Sequence, residues 1–300
     1  MKKIYIALLA AAAAVSLAAC GLEKKPAETG GAGKIPVAVS FDAMKELTEA
    51  VGGDLVSVSV IVPDGTEPHD FEPGADDLKR LGDARLFVYN GLGMERWAER
   101  AVKAAGNDEL LAVEASKDAP LLAVSGDDAE ESVYDPHLWL SLDGAEREAA
   151  NIRDALIRIA PERESAFRAN YDAFAGELET LRAEYAGLFA GASRKTLVTG
   201  HAAFGYLARD FGLEEKSVED VFASGEPSPA KLTELTRYCR DNGVKTVFTE
   251  ELVSPAVSET LAREAGAGTA VIYTMESSEG GLSYMERMKD NLRRIYEALA

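Results

Sequence analysis

From Ile35 onward, short apolar runs alternate with stretches in which apolar residues recur every three or four positions. Strand-like and helix-like periods taking turns in this way predict an α/β architecture. Ile35–Ser40 reads as a strand and Phe41–Val51 as the helix after it. Leu55–Val62 (Leu-Val-Ser-Val-Ser-Val-Ile-Val) reads as a second strand, stopped by the turn Pro63-Asp64-Gly65. Ala75–Gly82 follows as a helix and Leu86–Tyr89 as a strand; a helix through Val102 comes after Gly91-Leu92-Gly93. Asp143–Ile159 is helical in pattern and gives way at Pro161.

Between Glu162 and about Ala190 the chain has no proline, and apolar residues fall at Phe167, Tyr171, Phe174, Leu178, Leu181, Tyr185 and Leu188. Steps of four and three in turn draw one stripe along one face of a helix. At ~1.5 Å per residue, about 29 residues would reach ~43 Å, enough to cross a whole domain. Gly176 and Gly187 each weaken the helix by ~1 kcal/mol against alanine, so the end near Gly187 is expected to fray. Fewer than four heptads, with tyrosines in the stripe, favour packing within one chain over a coiled-coil dimer, and a monomer is expected. A second α/β set begins at Arg194: strand Thr196–Thr199, helix Phe204–Phe211, a Gly-Glu-Pro-Ser-Pro turn, helix Ala230–Asn242, strand Val244–Thr249, helix Pro255–Ala265, strand Ala270–Tyr273 and helix Tyr284–Leu299. The predicted division is an N-terminal α/β lobe over 35–160, a linking helix over 161–191 and a C-terminal α/β lobe over 192–300.

Residues 1–19 read as a targeting segment, with Lys2 and Lys3 before an apolar run from Ile4 to about Leu17. That run is short of the ~20 residues that span a bilayer. Leu17-Ala18-Ala19-Cys20 resembles a bacterial lipobox, which implies cleavage before Cys20 and a lipid on its thiol. Residues 20–34 read as a flexible tether. With Cys20 acylated, Cys239 stands alone and no intramolecular disulfide forms; its helical pattern with Leu232, Leu235 and Tyr238 makes it a buried, inert thiol. The net charge of −19 argues against nucleic acid or anionic lipid as the main partner. It draws cations toward the surface without making a site.

The chemistry concentrates in three histidines, His69, His137 and His201, the only ones in 300 residues. Neutral imidazole is a preferred zinc ligand, and three with one oxygen complete a tetrahedral shell. His69 and His201 closely follow strands, one in each half, and ligands in open α/β sheets gather at the carboxyl ends of strands. A cleft between the lobes is therefore the expected site, with His137 closing the triangle. Glu276, just past the last strand, is the favoured fourth ligand, with Glu250, Glu251 or a water as competitors. Glu250 is alternatively a partner that orients an imidazole. The acidic stretch Ser125–Asp135 reads as a solvated loop ahead of His137.

Pro68-His69-Asp70-Phe71-Glu72-Pro73, Asp135-Pro136-His137-Leu138-Trp139-Leu140, Gly200-His201-Ala202-Ala203-Phe204-Gly205-Tyr206 and Glu226-Pro227-Ser228-Pro229 occur in this order. Together they resemble the metal-binding lipoproteins of bacterial zinc and manganese ABC importers, over nearly all of 35–300. The resemblance implies two doubly wound lobes joined by a rigid long helix, with a metal at their interface held by His69, His137 and His201. It further implies a lipid-anchored capture protein outside the cytoplasm, without catalytic turnover, that delivers its ion to a permease worked by an ATPase. A histidine at the position of His201 points to Zn2+ over Mn2+ or Fe2+, as ligand softness does. The chain departs from many relatives in lacking a histidine-rich loop and an aspartate after the last strand, where Tyr273 and Thr274 stand. Rival readings are a three-histidine zinc hydrolase with an open water position, and a metal-independent surface adhesin. A stiff connecting helix favours small lobe motions, with release through loosening of the loops around Glu276 or His137.

Overall fold

Val37, Ala38 and Val39 are buried on both faces of their strand, which is why the stretch reads as a continuous apolar run rather than an alternating one. β1 (Ile35–Val39) lies between β2 (Val56–Val60) and β3 (Leu86–Tyr89), and β3 pairs in turn with β4 (Leu111–Glu114). All three ladders are parallel, in the order β2-β1-β3-β4, with Val37 opposite both Val58 and Leu86. Helices α1 (Asp42–Gly52), α2 (Ala75–Asp83), α3 (Ala98–Ala105) and α4 (Leu142–Ile159) complete this half.

The structure, a computed structural model, describes residues 33–124, 133–223, 227–252 and 254–300. The targeting segment, Cys20, the tether to position 32, residues 125–132 of the acidic stretch and Glu226 lie outside the described residues. Among the described residues, no helix is long and apolar enough to cross a membrane.

The linking helix α5 runs over Glu164–Gly191, 28 residues, entered through a 3-10 turn at Pro161–Arg163 rather than directly at Glu162. It buries Phe167, Phe174, Leu178, Leu181, Tyr185 and Phe189, each side chain stabilising by roughly 1.5–3 kcal/mol. Leu188, placed on the stripe by its spacing, is exposed and Phe189 takes its place. A strict 3.5-residue repeat drifts off a straight helix, and over six turns one position is lost. The end beyond Gly187 stays helical through Gly191. α5 packs against α1 and α4 of the first half and against the C-terminal helix α9 (Tyr284–Leu299), so it is bound along its length to both.

In the second half β5 (Thr196–Thr199) pairs in parallel with β6 (Glu214–Ser217), and β7 (Thr246–Thr249) with β8 (Gly268–Val271). β5 and β7 lie against each other, giving the sequence β6, β5, β7, β8 that mirrors β2, β1, β3, β4. Helices α6 (Gly205–Asp210), α7 (Pro229–Asp241) and α8 (Ala256–Ala265) intervene. β4, Leu-Ala-Val-Glu, is apolar but only four residues long, and β6 carries no apolar residue. β6 is Glu-Glu-Lys-Ser, and charged residues are how sheets protect an edge from pairing further. β8 ends at Val271, two residues short of the apolar run's end, because Ile272 and Tyr273 already belong to the turn that carries Glu276.

One apolar cluster runs through Val39, Leu86, Trp139, Leu178, Phe189, Leu197, Phe248 and Met288, joining both sheets to α5 within the compact unit Lys34–Ala300. A second, smaller one gathers Val198, Leu235, Cys239, Val247 and Leu261. Cys239 is fully buried there, and burial pushes its thiol up to about 11, the inert state its pattern predicts.

Candidate metal centre

Because the strands are parallel, their carboxyl ends share one edge, and the chain turns there in five loops. Gly65–Phe71, after β2, carries His69. Gly200-His201 leaves β5 directly, and Glu250-Glu251 leaves β7. Ile272–Ser277 leaves β8 with Glu276 on it. His137 precedes the 3-10 turn Leu138–Leu140 at the start of α4. That turn sits so close to α4 that a β-carbon on Gly144 would lie 2.0 Å from the Leu138 carbonyl oxygen. Glycine at 144 is what lets His137 reach the edge.

The structure brings His69, His137, His201 and Glu276 together. Ligand atoms of His69, His137 and Glu276 lie within 4.8 Å of one another. Glu276 Oε1 is 3.7 Å from His137 Nε2 and 3.8 Å from His69 Nε2. His201 joins through His137, the two Nε2 atoms being 3.4 Å apart. Zinc bonds of ~2.0–2.1 Å in a tetrahedron put neighbouring ligand atoms ~3.3–3.4 Å apart. These three separations, 3.4, 3.7 and 3.8 Å, lie within about half an ångström of that spacing. His137 and His201 are buried, as are the side chains of His69 and Glu276. Both ring nitrogens of His69, Nδ1 of His201 and Oε1 of Glu276 have no hydrogen-bond partner. Buried polar atoms are rarely left unpartnered, and His69 Nε2 and Glu276 Oε1, bare and 3.8 Å apart, are what a cation-binding pocket requires.

Burial sets the electrostatics. It lowers the His69 and His201 imidazoles to about 3 and about 4, so both are neutral and able to donate a lone pair at neutral pH. His137 is driven the other way: burial alone would lower it, but Asp135 and Glu276 outweigh that and raise it to about 10. Glu276 is held well below the usual carboxylate range, burial being overcome by His137 and the other two imidazoles. Without a metal, the pocket thus holds an imidazolium against a carboxylate.

Asp135 is the residue that sequence reasoning missed. Its Oδ1 accepts from the His137 backbone N–H and lies 2.9 Å from Nδ1, while its carbonyl accepts from the Tyr206 hydroxyl at 2.7 Å. An acceptor at Nδ1 assigns the proton there and turns Nε2 toward the cluster. Asp135 therefore belongs to the buried machinery and not to a solvated loop; a carboxylate two residues from a histidine after proline was the available signal. Glu250 does not orient an imidazole as expected. Its Oε1 accepts from the Gly200 backbone N–H at 2.8 Å, and a β-carbon on Gly200 would stand 2.0 Å from Oε2. It shapes the backbone that delivers His201. Glu251 likewise stays out of the cluster, accepting from the Thr274 N–H and hydroxyl and from the Met275 N–H at 2.9–3.1 Å. Burial raises it to about 7.

Residues 37–298 match the family described as "ZnuA: Zinc-uptake complex component A periplasmic". A putative metal-binding protein of Treponema pallidum is 43% identical over 290 residues, 93% of this chain and 92% of its own length. The high-affinity zinc uptake system protein ZnuA of Bacillus subtilis is 34% identical over 304 residues, 96% of this chain and 95% of its own. Among solved structures, the laminin-binding protein Lmb of Streptococcus agalactiae is described as bifunctional, with adhesin and metal transporting activity. It superposes with a TM-score of 0.81 at 34% identity, covering 88% of this chain and 99% of that one. The role that the family description names is uptake, which is binding and not catalysis. With the match running across both halves and the linking helix, the chain belongs to the family of the periplasmic component A of zinc-uptake complexes.

Proposed function

We propose that this protein captures Zn2+ outside the cytoplasm, anchored to the membrane by lipid on Cys20, and delivers it to the permease of an ABC importer whose ATPase drives uptake. The observation that carries the reading is the convergence of His69, His137, His201 and Glu276 at spacings of 3.4–3.8 Å, with ring nitrogens left bare. Three imidazoles and one carboxylate favour zinc over manganese, which prefers oxygen-rich shells. Glu276 would fill the fourth position that a zinc hydrolase keeps open for water, so the site suits storage of the ion rather than chemistry on it.

Elemental analysis of the purified protein, with calorimetric competition between Zn2+ and Mn2+, tests this. One tightly held zinc per chain, lost in His201→Ala, is expected. A preference for manganese, or full zinc content in His201→Ala, would overturn the assignment. Growth at limiting zinc, compared between the wild type and Cys20→Ala, reads the contribution of the anchor.

A further inference from the structure

Beside His69 opens a cavity of about 270 Å³ whose lining includes Glu67, Asp70, Glu219 and Phe222 besides the imidazole itself. Its carboxylates come from two loops, Glu67 and Asp70 from the first half and Glu219 from the second. Among the described residues none of the three is in a salt bridge, whereas Asp220 next to Glu219 is engaged by Lys231. Asp70 is exposed; Glu67 is part-buried, and burial together with the Glu276 charge raises its carboxyl to about 8. At the inner end His69, its side chain 6% exposed, has no hydrogen-bond partner on either ring nitrogen. The ring meets Phe222 edge-on at 5.2 Å, and Arg96 lies over that phenyl ring at 5.7 Å. The guanidinium is thus held at the phenylalanine, while Asp70, Glu219 and Glu67 line the cavity. A divalent cation entering here would trade water for carboxylate oxygens and then for a buried, bare imidazole.

Resting on the zinc-capture reading, we propose that this cavity is the entry port of the site: Asp70 and Glu219 draw in the hydrated ion and, with Glu67, pass it to His69 as the first buried ligand. Hard carboxylates hold a hydrated ion loosely, and softer imidazoles hold the stripped one tightly. Focused negative charge at a cleft mouth accelerates cation arrival by about 10–10³-fold, with a steep dependence on salt.

The test is stopped-flow measurement of Zn2+ association with the full chain and with Glu67→Gln/Asp70→Asn/Glu219→Gln. The triple variant is expected to associate at least about tenfold more slowly at low salt, to lose most of the salt dependence, and still to reach one zinc per chain. A control with the same change in charge, Glu162→Gln/Glu177→Gln/Glu184→Gln on and before the linking helix, should associate as the wild type does. An unchanged rate and salt slope in the triple variant overturns the port, and so does an equal slowing in the control. Loss of stoichiometry overturns it too, because the carboxylates would then be ligands. If the triple variant does not fold, Asp70→Asn/Glu219→Gln, which alters only the outer groups, is expected to slow association several-fold, and an unchanged rate there overturns the port equally. A wild type that binds no zinc removes the parent reading instead.

Discussion

The two sides of the cluster are built differently. Glu276 sits in a turn fastened from every direction: Asn291 both donates to and accepts from the Tyr273 backbone at 2.7–2.8 Å, and Glu251 accepts from Thr274 and Met275. Trp139 Nε1 donates to the Thr274 carbonyl, and buried Arg287 donates to the Ser277 carbonyl while pairing with Asp42 at 2.6 Å. Met275 is even held at φ 61°, a left-handed conformation unfavourable for its side chain. His137 is fixed by Asp135 in the same manner. By contrast, the loop carrying His69 has fewer ties among the described residues: Gly65 N–H to Ser277 Oγ, the Asp64 carboxylate accepting from Ser278 N–H and Ser277 Oγ, and two short-range bonds, Thr66 to Pro63 and Asp70 to Glu67. One side is a preformed half-shell and the other a flap closed by packing. Weak local support is where local opening concentrates. Release by loosening the loops of Glu276 or His137, the route the stiff linking helix favours, would have to break this fastening, whereas opening at the His69 loop would break fewer bonds.

The largest effect should come from removing the fastening itself. Arg287→Ala leaves buried Asp42 with only the longer Lys45 contact at 3.6 Å and frees the Ser277 carbonyl, and breaking a buried pair in this way costs up to about 3–5 kcal/mol. Thermal unfolding of the metal-free protein should show this directly, with zinc affinity falling alongside. An unaltered Tm would show that the rigid side is rigid for some other reason. Next come the ligands. A structural zinc site is worth about 10–16 kcal/mol, so each of four ligands carries ~3 kcal/mol, about two orders of magnitude in Kd. His137→Ala should lose at least that much by calorimetry, and His69→Ala less, with most of its loss in a faster dissociation rate. Equal losses and equal off-rates would erase the distinction between half-shell and flap.

The fastened side was the harder of the two to read from sequence. His69, His137 and His201 were legible because histidine is rare in this chain and each follows a proline or glycine at the end of an element. The strands β1, β3 and β5 and the helix α9 were legible because central elements carry apolar periodicity. What supports the site is polar and long-range: Asn291 is 18 residues from Tyr273, Trp139 is 135 from Thr274 and Arg287 is 245 from Asp42. No local pattern announces such partners. Glu276 was found by position alone, and Glu250 and Glu251 were placed at the right edge without the sequence indicating that they grip backbone. β6 went unseen because its edge position needs no apolar face, and β4 because four residues, Leu-Ala-Val-Glu, are too short a run to stand out.

Asp135 allows a sharper test of preorganisation. Loss of a group that orients a metal-binding histidine typically weakens binding 10–100-fold, and Asp135→Asn is expected in that range. The pH dependence carries the signature. His137 is raised from its ordinary 6.5 to about 10 in the metal-free fold, so it is protonated at neutral pH and must lose that proton when zinc arrives. Affinity should therefore rise about tenfold per pH unit through the neutral range, levelling off above about 10 rather than at 6.5. Calorimetry in buffers of different ionisation enthalpy should count close to one proton released per zinc at pH 7.5. Asp135→Asn removes the stronger of the two groups that raise His137 and should lower that count. An identical count in both proteins would mean that Asp135 only fills space.

The smallest effect separates two ways of supporting a histidine. Glu250 acts on His201 through the backbone, and burial raises its carboxyl well above the usual range, so Glu250→Gln retains an oxygen for the Gly200 N–H and replaces only its neighbouring oxygen by an amide nitrogen. The difference, roughly 0.5–1.5 kcal/mol, is a few-fold in zinc affinity. Gly200→Ala attacks the same contact from the other side, driving a methyl group to 2.0 Å from Glu250 Oε2. Overpacking of this kind costs about 1–3 kcal/mol, more than the exchange to glutamine. Combining the two substitutions should cost less than their sum, because neighbours that share one contact are not additive. Strict additivity in the double variant would show that Glu250 and Gly200 bear on His201 independently, and the close approach between them would then be incidental to the site.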